Sequence, residues 1–218
     1  MSSDPLLLIV SSPSGAGKTT LTNALRQRVP RIRFSVSHTT RKPRTGEQDG
    51  HEYHFVSRER FEQLIEAGTF LEWAVVHDNL YGTSQSEIDR ATADRCLLFD
   101  VDYQGARKIK ASRPDAVSVF ILPPSMEELE RRLRGRASED EETVLKRFRS
   151  ARREIEHYSL FDYILENDSL EDSIQRLTGI LFAEECRRSR TAPRAERLLA
   201  QERGFGGTRP PPANPEKV

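Results

Sequence analysis

Apolar and polar positions alternate along the chain in a way that separates short strands from amphipathic helices. Predominantly apolar runs occur at residues 6–10, 96–99, 116–122 and 161–165, each bounded by polar or turn-forming residues. Runs of this length are typical of buried strands, whereas the apolar residues over 170–181 recur at helical spacing. The alternation of predicted strands and helices along the chain predicts an α/β fold with a parallel sheet flanked by helices.

The first apolar run leads into the sequence SSPSGAGKTT, which predicts a phosphate-binding loop at the start of a helix. Gly15 and Gly17 permit backbone conformations in which successive N–H groups point at phosphate oxygens. Lys18 adds a positive charge, Thr19 supplies a hydroxyl for Mg²⁺, and the helix directs its positive dipole end to the same place. We therefore expect a bound triphosphate. The residues predicted to contact it are Ser14, Gly15, Ala16, Gly17, Lys18, Thr19 and Thr20.

One residue departs from the strict pattern G-x-x-x-x-G-K-[ST], because Ser12 stands where the first glycine is expected. A Gly-rich turn before an ordinary helix is the alternative interpretation. The intact Gly-Lys-Thr end and the preceding strand favour the nucleotide site. Since Ser12 lies at the strand end of the loop, away from Lys18 and Thr19, we expect only a modest effect on triphosphate affinity.

Two carboxylates, Asp100 and Asp102, follow the apolar run that begins at Cys96. The carboxyl ends of parallel strands gather on the ligand side of an open sheet, so both are predicted to lie near the phosphate loop. Asp100 has the place of a Walker-B residue and could order the water shell of Mg²⁺. An ordinary strand-end carboxylate is the alternative.

Residues 35–93 are predicted to form an α+β insertion between the first helix and the next core strand. Its first part is poor in aliphatic residues and rich in turn formers, so its charges invite a functional explanation. Arg41 and Arg44 are three residues apart, with Ser37 before them and the Tyr53 hydroxyl after them. This set suits bidentate capture of a phosphate dianion.

Composition narrows the classes of partner. Lys plus Arg and Asp plus Glu both number 34, so no overall charge points to nucleic acid or a membrane. Neither the two cysteines nor the histidines have metal-ligand spacing. No signal peptide or membrane span is indicated near the N-terminus, and we expect a cytoplasmic protein.

Four segments, in order, closely resemble the guanylate kinase family: SPSGAGKTT, FSVSHTTRKPRTGEQDGHEYHFV, LEWAVVHDNLYGT and LFDVDYQGA. The resemblance covers residues from about 5 to 187. It implies a P-loop nucleoside monophosphate kinase that transfers the γ-phosphate of ATP to GMP with Mg²⁺, in purine nucleotide metabolism. It also implies a core, a GMP-binding insertion and a helical lid. The predicted boundaries are core 1–34, insertion 35–93, core 94–130, lid 131–153, core 154–187 and a disordered tail 188–218.

The resemblance also implies roles for individual residues. Lys18, Arg136 and Arg147 would be catalytic, whereas Arg131, Arg132 and Arg134 are interpreted as helix-face charges. Asn167 would contact the adenine side, although a helix N-cap is the alternative interpretation. The residues implied for GMP binding are Ser37, Arg41, Arg44, Glu47, Tyr53, Glu72, Tyr81, Thr83 and Asp102.

The chemistry of guanine agrees with two of these residues. Guanine offers N1–H and 2-amino donors to a carboxylate such as Glu72, and its O6 accepts from a hydroxyl such as that of Thr83. Adenine would leave a partly buried carboxylate unpaired, at a cost of about 1–3 kcal/mol per unsatisfied group. A solvent-facing strand carboxylate is the alternative for Glu72.

Two other functions stay open from the sequence. Guanylate-kinase-like domains also occur as non-catalytic modules that bind phosphopeptides, but such modules tend to lack a working phosphate loop and lid. The second alternative function is that of a nucleoside monophosphate kinase with a different base preference. The expected partners are ATP and GMP, without nucleic acid or membrane, and the sequence leaves open a homo-oligomer.

Overall fold

The computed structural model describes residues 5–76, 78–91, 96–135 and 141–202. The strands are β1 (Leu6–Ser11), β2 (Ile32–Phe34), β3 (Ser37–Thr39), β4 (Tyr53–Phe55), β5 (Phe70–Val76), β6 (Asn79–Ser84), β7 (Cys96–Asp100), β8 (Val117–Leu122) and β9 (Tyr163–Glu166). The helices are α1 (Lys18–Arg28), α2 (Arg58–Glu66), α3 (Ser86–Asp89), α4 (Tyr103–Ser112), α5 (Met126–Arg134), α6 (Glu141–Ile155), α7 (Leu170–Glu185) and α8 (Arg188–Glu202). A 3₁₀ turn, Tyr158–Leu160, precedes β9.

The larger sheet is parallel throughout and has the strand order β2-β7-β1-β8-β9. Its central strand β1 is buried on both faces, which is why its sequence is apolar without alternation. Leu8 belongs to the core beneath α1 and α7, whereas Ile9 belongs to the core beneath α4. The predicted α/β class with helices flanking a parallel sheet is confirmed.

Strand register explains where the site forms. Val10 of β1 pairs with Asp100 of β7, and Ser11 pairs with Phe120 of β8. The loop that leaves β1 therefore starts beside the carboxyl end of β7.

The insertion forms a second sheet with the strand order β4-β3-β6-β5. β3 runs parallel to β4 and antiparallel to β6, while β5 and β6 form an antiparallel pair with an irregularity between Phe70 and Glu72. Helix α2 covers one face, where the Phe61 ring stacks on Phe70 with centroids 4.6 Å apart. The other face carries Tyr53 and Tyr81, whose rings meet edge to face.

Helices α5 and α6 form a hairpin with its own apolar contact. Leu129 and Leu133 of α5 are buried against Val144 and Ala151 of α6. Residues 136–140, between the two helices, lie outside the described part of the chain. The lid boundaries 131–153 remain a prediction.

The predicted disordered tail is wrong for its first half, because residues 188–202 form helix α8. The segment is rich in Arg, Ala, Leu and Glu, which all favour helix, and their preference outweighs both the internal Pro193 and the exposure of most side chains of the segment. Residues 203–218 lie outside the described part of the chain. Across the described residues, no helix combines the length and apolar character needed to cross a membrane.

Candidate active site

The loop between β1 and α1 owes its path to two glycines. Gly15 has φ 93° and Gly17 has φ 95°, both in the left-handed region that favours glycine. A Cβ on Gly17 would also lie 2.4 Å from Nδ2 of Asn167. Conformation and space therefore both require glycine at position 17.

Ser12 needs no such conformation. Among the residues that the structure describes, Asp78 is the one non-glycine residue with a positive φ, so the Ser12 backbone suits any residue. Its hydroxyl donates to the Pro13 carbonyl at 3.0 Å. The backbone at position 12 therefore does not need the left-handed conformation that favours glycine. That Ser12 has only a modest effect on triphosphate affinity stays a prediction.

Two side chains from distant elements hold the middle of the loop. The Ala16 carbonyl accepts from Nδ2 of Asn167 at 2.8 Å and from Nη1 of Arg132 at 3.3 Å. Nη2 of Arg132 also donates to the Asn167 carbonyl at 3.1 Å. The Ala16 side chain is fully buried in the core. The main chain of the loop is thereby fixed by side chains from α5 and from the segment after β9.

The interpretation of Asn167 as a helix cap is wrong. The Ser169 hydroxyl caps α7 by accepting from the Asp172 amide, and the Asn167 side chain is buried against the loop instead. Its predicted contact with adenine stays a prediction.

The interpretation of Arg132 as a helix-face charge is also wrong, since its guanidinium reaches the phosphate loop. Glu128, one turn earlier on α5, accepts from Nε of Arg132 at 2.7 Å and orients it. By contrast, Arg131 is 73% exposed and pairs with Glu128, and Arg134 pairs with carboxylates of both α5 and α6. In the sequence, Arg132 is marked only by its place next to Leu133, which belongs to the buried apolar stripe of α5.

The loop lysine is held at the end of β7. The Lys18 ammonium forms an ion pair with Asp100 and donates to the Val101 carbonyl at 3.0 Å. Both side chains are partly exposed, at 19% and 29%. The predicted proximity of Asp100 to the loop is therefore observed as a direct contact.

Helix α6 contacts the loop through two charged side chains. Nη2 of Arg147 donates to the Ser14 hydroxyl at 2.9 Å, and the Ser14 amide donates to Oε2 of Glu154 at 3.1 Å. Ser150 donates to the other oxygen of Glu154 at 3.0 Å. Arg147 and Glu154 are seven residues apart, two helical turns, so they face the same side. Glu154 was not predicted, and Arg136 lies outside the described residues.

A cavity of about 260 Å³ lies between the loop and the insertion sheet. The loop side contributes Ser14 and Lys18. The predicted GMP-site residues that line it are Ser37, Arg41, Arg44, Tyr53, Glu72, Tyr81 and Asp102. The other two predicted GMP-site residues, Thr83 and Glu47, lie behind the residues that line the cavity. Thr83 is hydrogen-bonded to Glu72, and Glu47 is hydrogen-bonded to Arg41.

One carboxylate organises the arginine side of this cavity. Glu47 accepts from both terminal nitrogens of Arg41 at 2.9 Å, and its Oε2 also accepts from the Arg44 amide at 2.7 Å. These hydrogen bonds, with that from Arg41 the largest, lower the pKa of Glu47. The Arg41 guanidinium also lies over the Tyr53 ring, 5.3 Å from its centroid. Arg41 is thus oriented before any ligand arrives.

At the opposite end, Glu72 is a buried carboxylate with only 5% of the residue exposed. Its Oε1 accepts from the Thr83 amide at 3.1 Å and from the Thr83 hydroxyl at 2.7 Å. The Thr83 hydroxyl lies 3.1 Å from that of Ser37. Burial raises the pKa of Glu72 to about 7; the hydrogen bonds from Thr83 oppose this shift, and the charge of Asp102 adds to it. The solvent-facing alternative for Glu72 is therefore wrong.

A second cavity, of about 230 Å³, covers the outer side of the loop from Ser12 to Thr20. It shares Ser14, Lys18 and Asp102 with the first cavity. Two ligands could therefore approach each other at the loop, one on each side of Lys18.

The residues predicted for Mg²⁺ also suit that ion. The Thr19 hydroxyl and the Asp100 carboxylate border one cavity of about 210 Å³. Both are hard oxygen donors, and Mg²⁺ in phosphate-binding sites is usually held by few protein oxygens together with water and substrate phosphates. The donor set therefore fits the ion.

Comparison with known proteins identifies the family. A family model described as guanylate kinase matches residues 5–184. The chain belongs to the guanylate kinase family. It is 51% identical over 187 residues to the guanylate kinase of Paramagnetospirillum magneticum, covering 85% of this chain and 87% of that protein. It is 47% identical over 198 residues to the guanylate kinase of Haemophilus ducreyi, covering 89% and 96%.

A solved structure agrees with this assignment. The crystal structure of guanylate kinase from Anaplasma phagocytophilum matches with a TM-score of 0.71 and 35% identity, covering 86% of this chain and 90% of that one. The resemblance to the family, predicted from the motifs, is confirmed.

The contact between Asn167 and the loop predicts a measurable loss of stability. Asn167→Ala removes the 2.8 Å hydrogen bond to the Ala16 carbonyl and leaves it the longer one from Arg132, so we expect the free energy of unfolding to fall by about 0.5–1.5 kcal/mol. Urea denaturation measures it. The exposed Asn23→Ala is the control, with an expected change within about 0.5 kcal/mol. Equal effects of the two substitutions would contradict the role of Asn167 in holding the loop.

The raised pKa of Glu72 predicts a specific pH dependence of stability. Between its ordinary value of 4.5 and about 7, the folded protein keeps a proton that the unfolded chain has released. The contribution of Glu72 to the free energy of unfolding is therefore lost as pH rises through this window, by up to about 1.4 kcal/mol per unit. Urea denaturation of the native protein and of Glu72→Gln between pH 5 and 8 isolates the difference. Parallel pH profiles would show that Glu72 does not titrate in this window.

Proposed function

We propose that the protein transfers the γ-phosphoryl group of ATP to the phosphate of GMP, giving ADP and GDP. The observation that carries the proposal is the meeting of two cavities at Lys18: a glycine-shaped phosphate loop on one side, and a pocket that ends in the buried Glu72 on the other. Membership of the guanylate kinase family supports the same reaction.

Glu72 would read the guanine base, and Thr83 would hold the Glu72 carboxylate in place. As a carboxylate, Glu72 accepts from the N1–H and 2-amino groups. Thr83 already donates its hydroxyl to Oε1 of Glu72, so it fixes the carboxylate first. A base without donors at these positions would leave the buried carboxylate unpaired, and this cost gives the preference for guanine.

The arginine end of the pocket would hold the GMP phosphate. Arg41 is oriented by Glu47, and Arg44, Tyr53 and Tyr81 border the same space. A planar guanidinium can donate two parallel hydrogen bonds to a phosphate, which fixes the direction of the acceptor oxygen as well as its position.

The transfer needs placement and charge neutralisation more than proton transfer, because the attacking phosphate oxygen is already anionic. Lys18 would neutralise the donor phosphates after leaving Asp100. Arg147 of α6 is already within hydrogen-bond distance of the loop, and we place it beside the transferring group together with Arg136. Closure of the lid over this point would keep water from competing for the phosphoryl group.

Thr19 and, through water, Asp100 would hold Mg²⁺. When bound, the ion neutralises charge on the β- and γ-phosphates. Since ATP and GMP are intracellular nucleotides, we expect the protein to act in the cytoplasm.

The non-catalytic phosphopeptide-binding module receives no support. The phosphate loop has its lysine and its glycine geometry, and α6 supplies Arg147 to it. A module without phosphoryl transfer would have no use for this arrangement.

A base-selectivity assay tests the proposal directly. ADP release should depend on GMP, with AMP, UMP and CMP giving far lower rates. Glu72→Gln should lower kcat/KM for GMP by about 10- to 100-fold, because an amide N–H would replace an acceptor of the guanine donors. The KM for ATP should change by less than about threefold, since Glu72 does not border the donor cavity.

Absence of GMP-dependent ADP release would overturn the proposed function. An unchanged base preference in Glu72→Gln would overturn the assignment of guanine to this end of the pocket while leaving the reaction itself intact.

Removal of the loop lysine provides a second test. Lys18→Ala should lower kcat by at least about 100-fold, because its positive charge at the transferring phosphate is lost. Lys146→Ala, on the exposed side of α6, should keep normal activity. Circular dichroism should show both variants folded. More than a tenth of the native activity in folded Lys18→Ala would contradict the role of Lys18.

A further inference from the structure

Helix α4 forms the wall behind the buried carboxylate of Glu72, and one glycine makes the closest approach. A Cβ placed on Gly105 would lie 3.0 Å from Oε2 of Glu72 and 3.3 Å from its Cδ. It would also lie 3.1 Å from Cβ of Val101. These distances are shorter than ordinary van der Waals contacts, so the space that a side chain would need is occupied by the carboxylate.

The local backbone does not explain this glycine. Gly105 lies in the first turn of α4, and it is absent from the positive-φ glycines of the described chain. Alanine is the better helix former at such a position, because glycine loses more conformational freedom on folding. The glycine therefore has a local cost, and the reason for it must lie in what the helix touches.

The carboxylate cannot move away easily. Both donors of Thr83 bind Oε1 of Glu72, which fixes that oxygen and turns Oε2 toward the helix. The strand that carries Glu72 is also tied to α4, because the Lys108 ammonium donates to the Trp73 carbonyl and lies 4.8 Å from the centre of the Trp73 ring. Helix and strand are thus held together immediately beside the contact.

The N-terminus of α4 is fixed as well. The Asp102 side chain caps the helix by accepting from the Gly105 amide at 2.9 Å, and Asp102 itself borders the base pocket. A shift of the helix that made room for a side chain at position 105 would therefore displace Asp102 within the pocket.

We propose that Gly105 is a positioning residue for guanine recognition: the absence of a side chain leaves Oε2 of Glu72 where it can accept from the base. Oε1 already accepts two hydrogen bonds from Thr83, so Oε2 is the oxygen with more capacity for guanine donors. A displacement of a few tenths of an ångström would weaken this contact without touching the phosphate loop. The inference rests on the proposed function, since it deepens the reading of the base by Glu72.

The test compares two glycines in helices. Gly179 lies in the middle of α7, and a Cβ there would meet nothing within 4 Å. Gly105→Ala should raise the KM for GMP by about tenfold or more, whereas the KM for ATP should stay within about twofold. Gly179→Ala should leave both values unchanged.

The readout that separates positioning from general destabilisation is the ratio of kcat/KM for GMP to that for IMP, which lacks the 2-amino donor. This ratio does not depend on how much of the sample is folded. In Gly105→Ala it should fall at least about fivefold, toward the value of Glu72→Gln. The double variant Glu72→Gln/Gly105→Ala should lose little more than Glu72→Gln alone, because both substitutions act on one contact.

Each other outcome has a clear meaning. A native protein without GMP-dependent turnover would overturn the proposed function. A native protein with that turnover, together with an unchanged GMP/IMP ratio in Gly105→Ala or strictly additive effects in the double variant, would overturn the role of Gly105. Loss of cooperative folding in Gly105→Ala but not in Gly179→Ala would also overturn it, by assigning the glycine to the packing of the fold.

Discussion

The structure depends on keeping the phosphate loop in a conformation that its own residues do not prefer strongly enough to hold alone. Gly15 and Gly17 can adopt left-handed backbone angles, but flexibility alone would leave the loop with many other conformations. Contacts from three other parts of the chain restrict it: Asn167 after β9, Arg132 of α5 and Glu154 of α6 all bind its main chain. Elements distant in sequence therefore share the cost of ordering one short loop.

The second constraint is the burial of a carboxylate. Desolvation disfavours the charged form of Glu72, and the chain offsets part of this with two hydrogen bonds from Thr83. The part of the desolvation cost that is not offset is consistent with a carboxylate whose other hydrogen-bond donors come from a ligand. Burial of this carboxylate thus costs the insertion stability, in keeping with a binding site that trades stability for selectivity.

Much of this organisation is visible in the sequence, and the missing part has a common cause. The apolar runs predict the parallel sheet, the turn-rich segment after Phe34 singles out Arg41, and the family resemblance supplies Glu72. The sequence does not distinguish Arg132 and Glu154 from their charged neighbours, because charged residues abound on α5 and α6. Only tertiary packing shows which of them face the loop. The sequence likewise gives no reason to single out Gly105 until the position of the Glu72 side chain is known. The sequence does not predict helix α8, because an Arg-rich segment has little apolar surface to bury, although its Arg, Ala, Leu and Glu residues favour helix locally.

The ion pairs of Lys18 with Asp100 and of Arg41 with Glu47 place a built-in anion beside each of two cations that line the cavity between the loop and the insertion. Each carboxylate is tethered, so its effective concentration at its cation is high and does not vary with the surroundings. A small free anion, such as inorganic phosphate, must compete with that tethered group and has few other contacts with which to do so. A nucleotide competes with the same carboxylates through several phosphate oxygens, and its base adds further contacts. The pairing thereby acts as a threshold that disfavours simple anions and leaves the pocket to ligands that engage both of its ends.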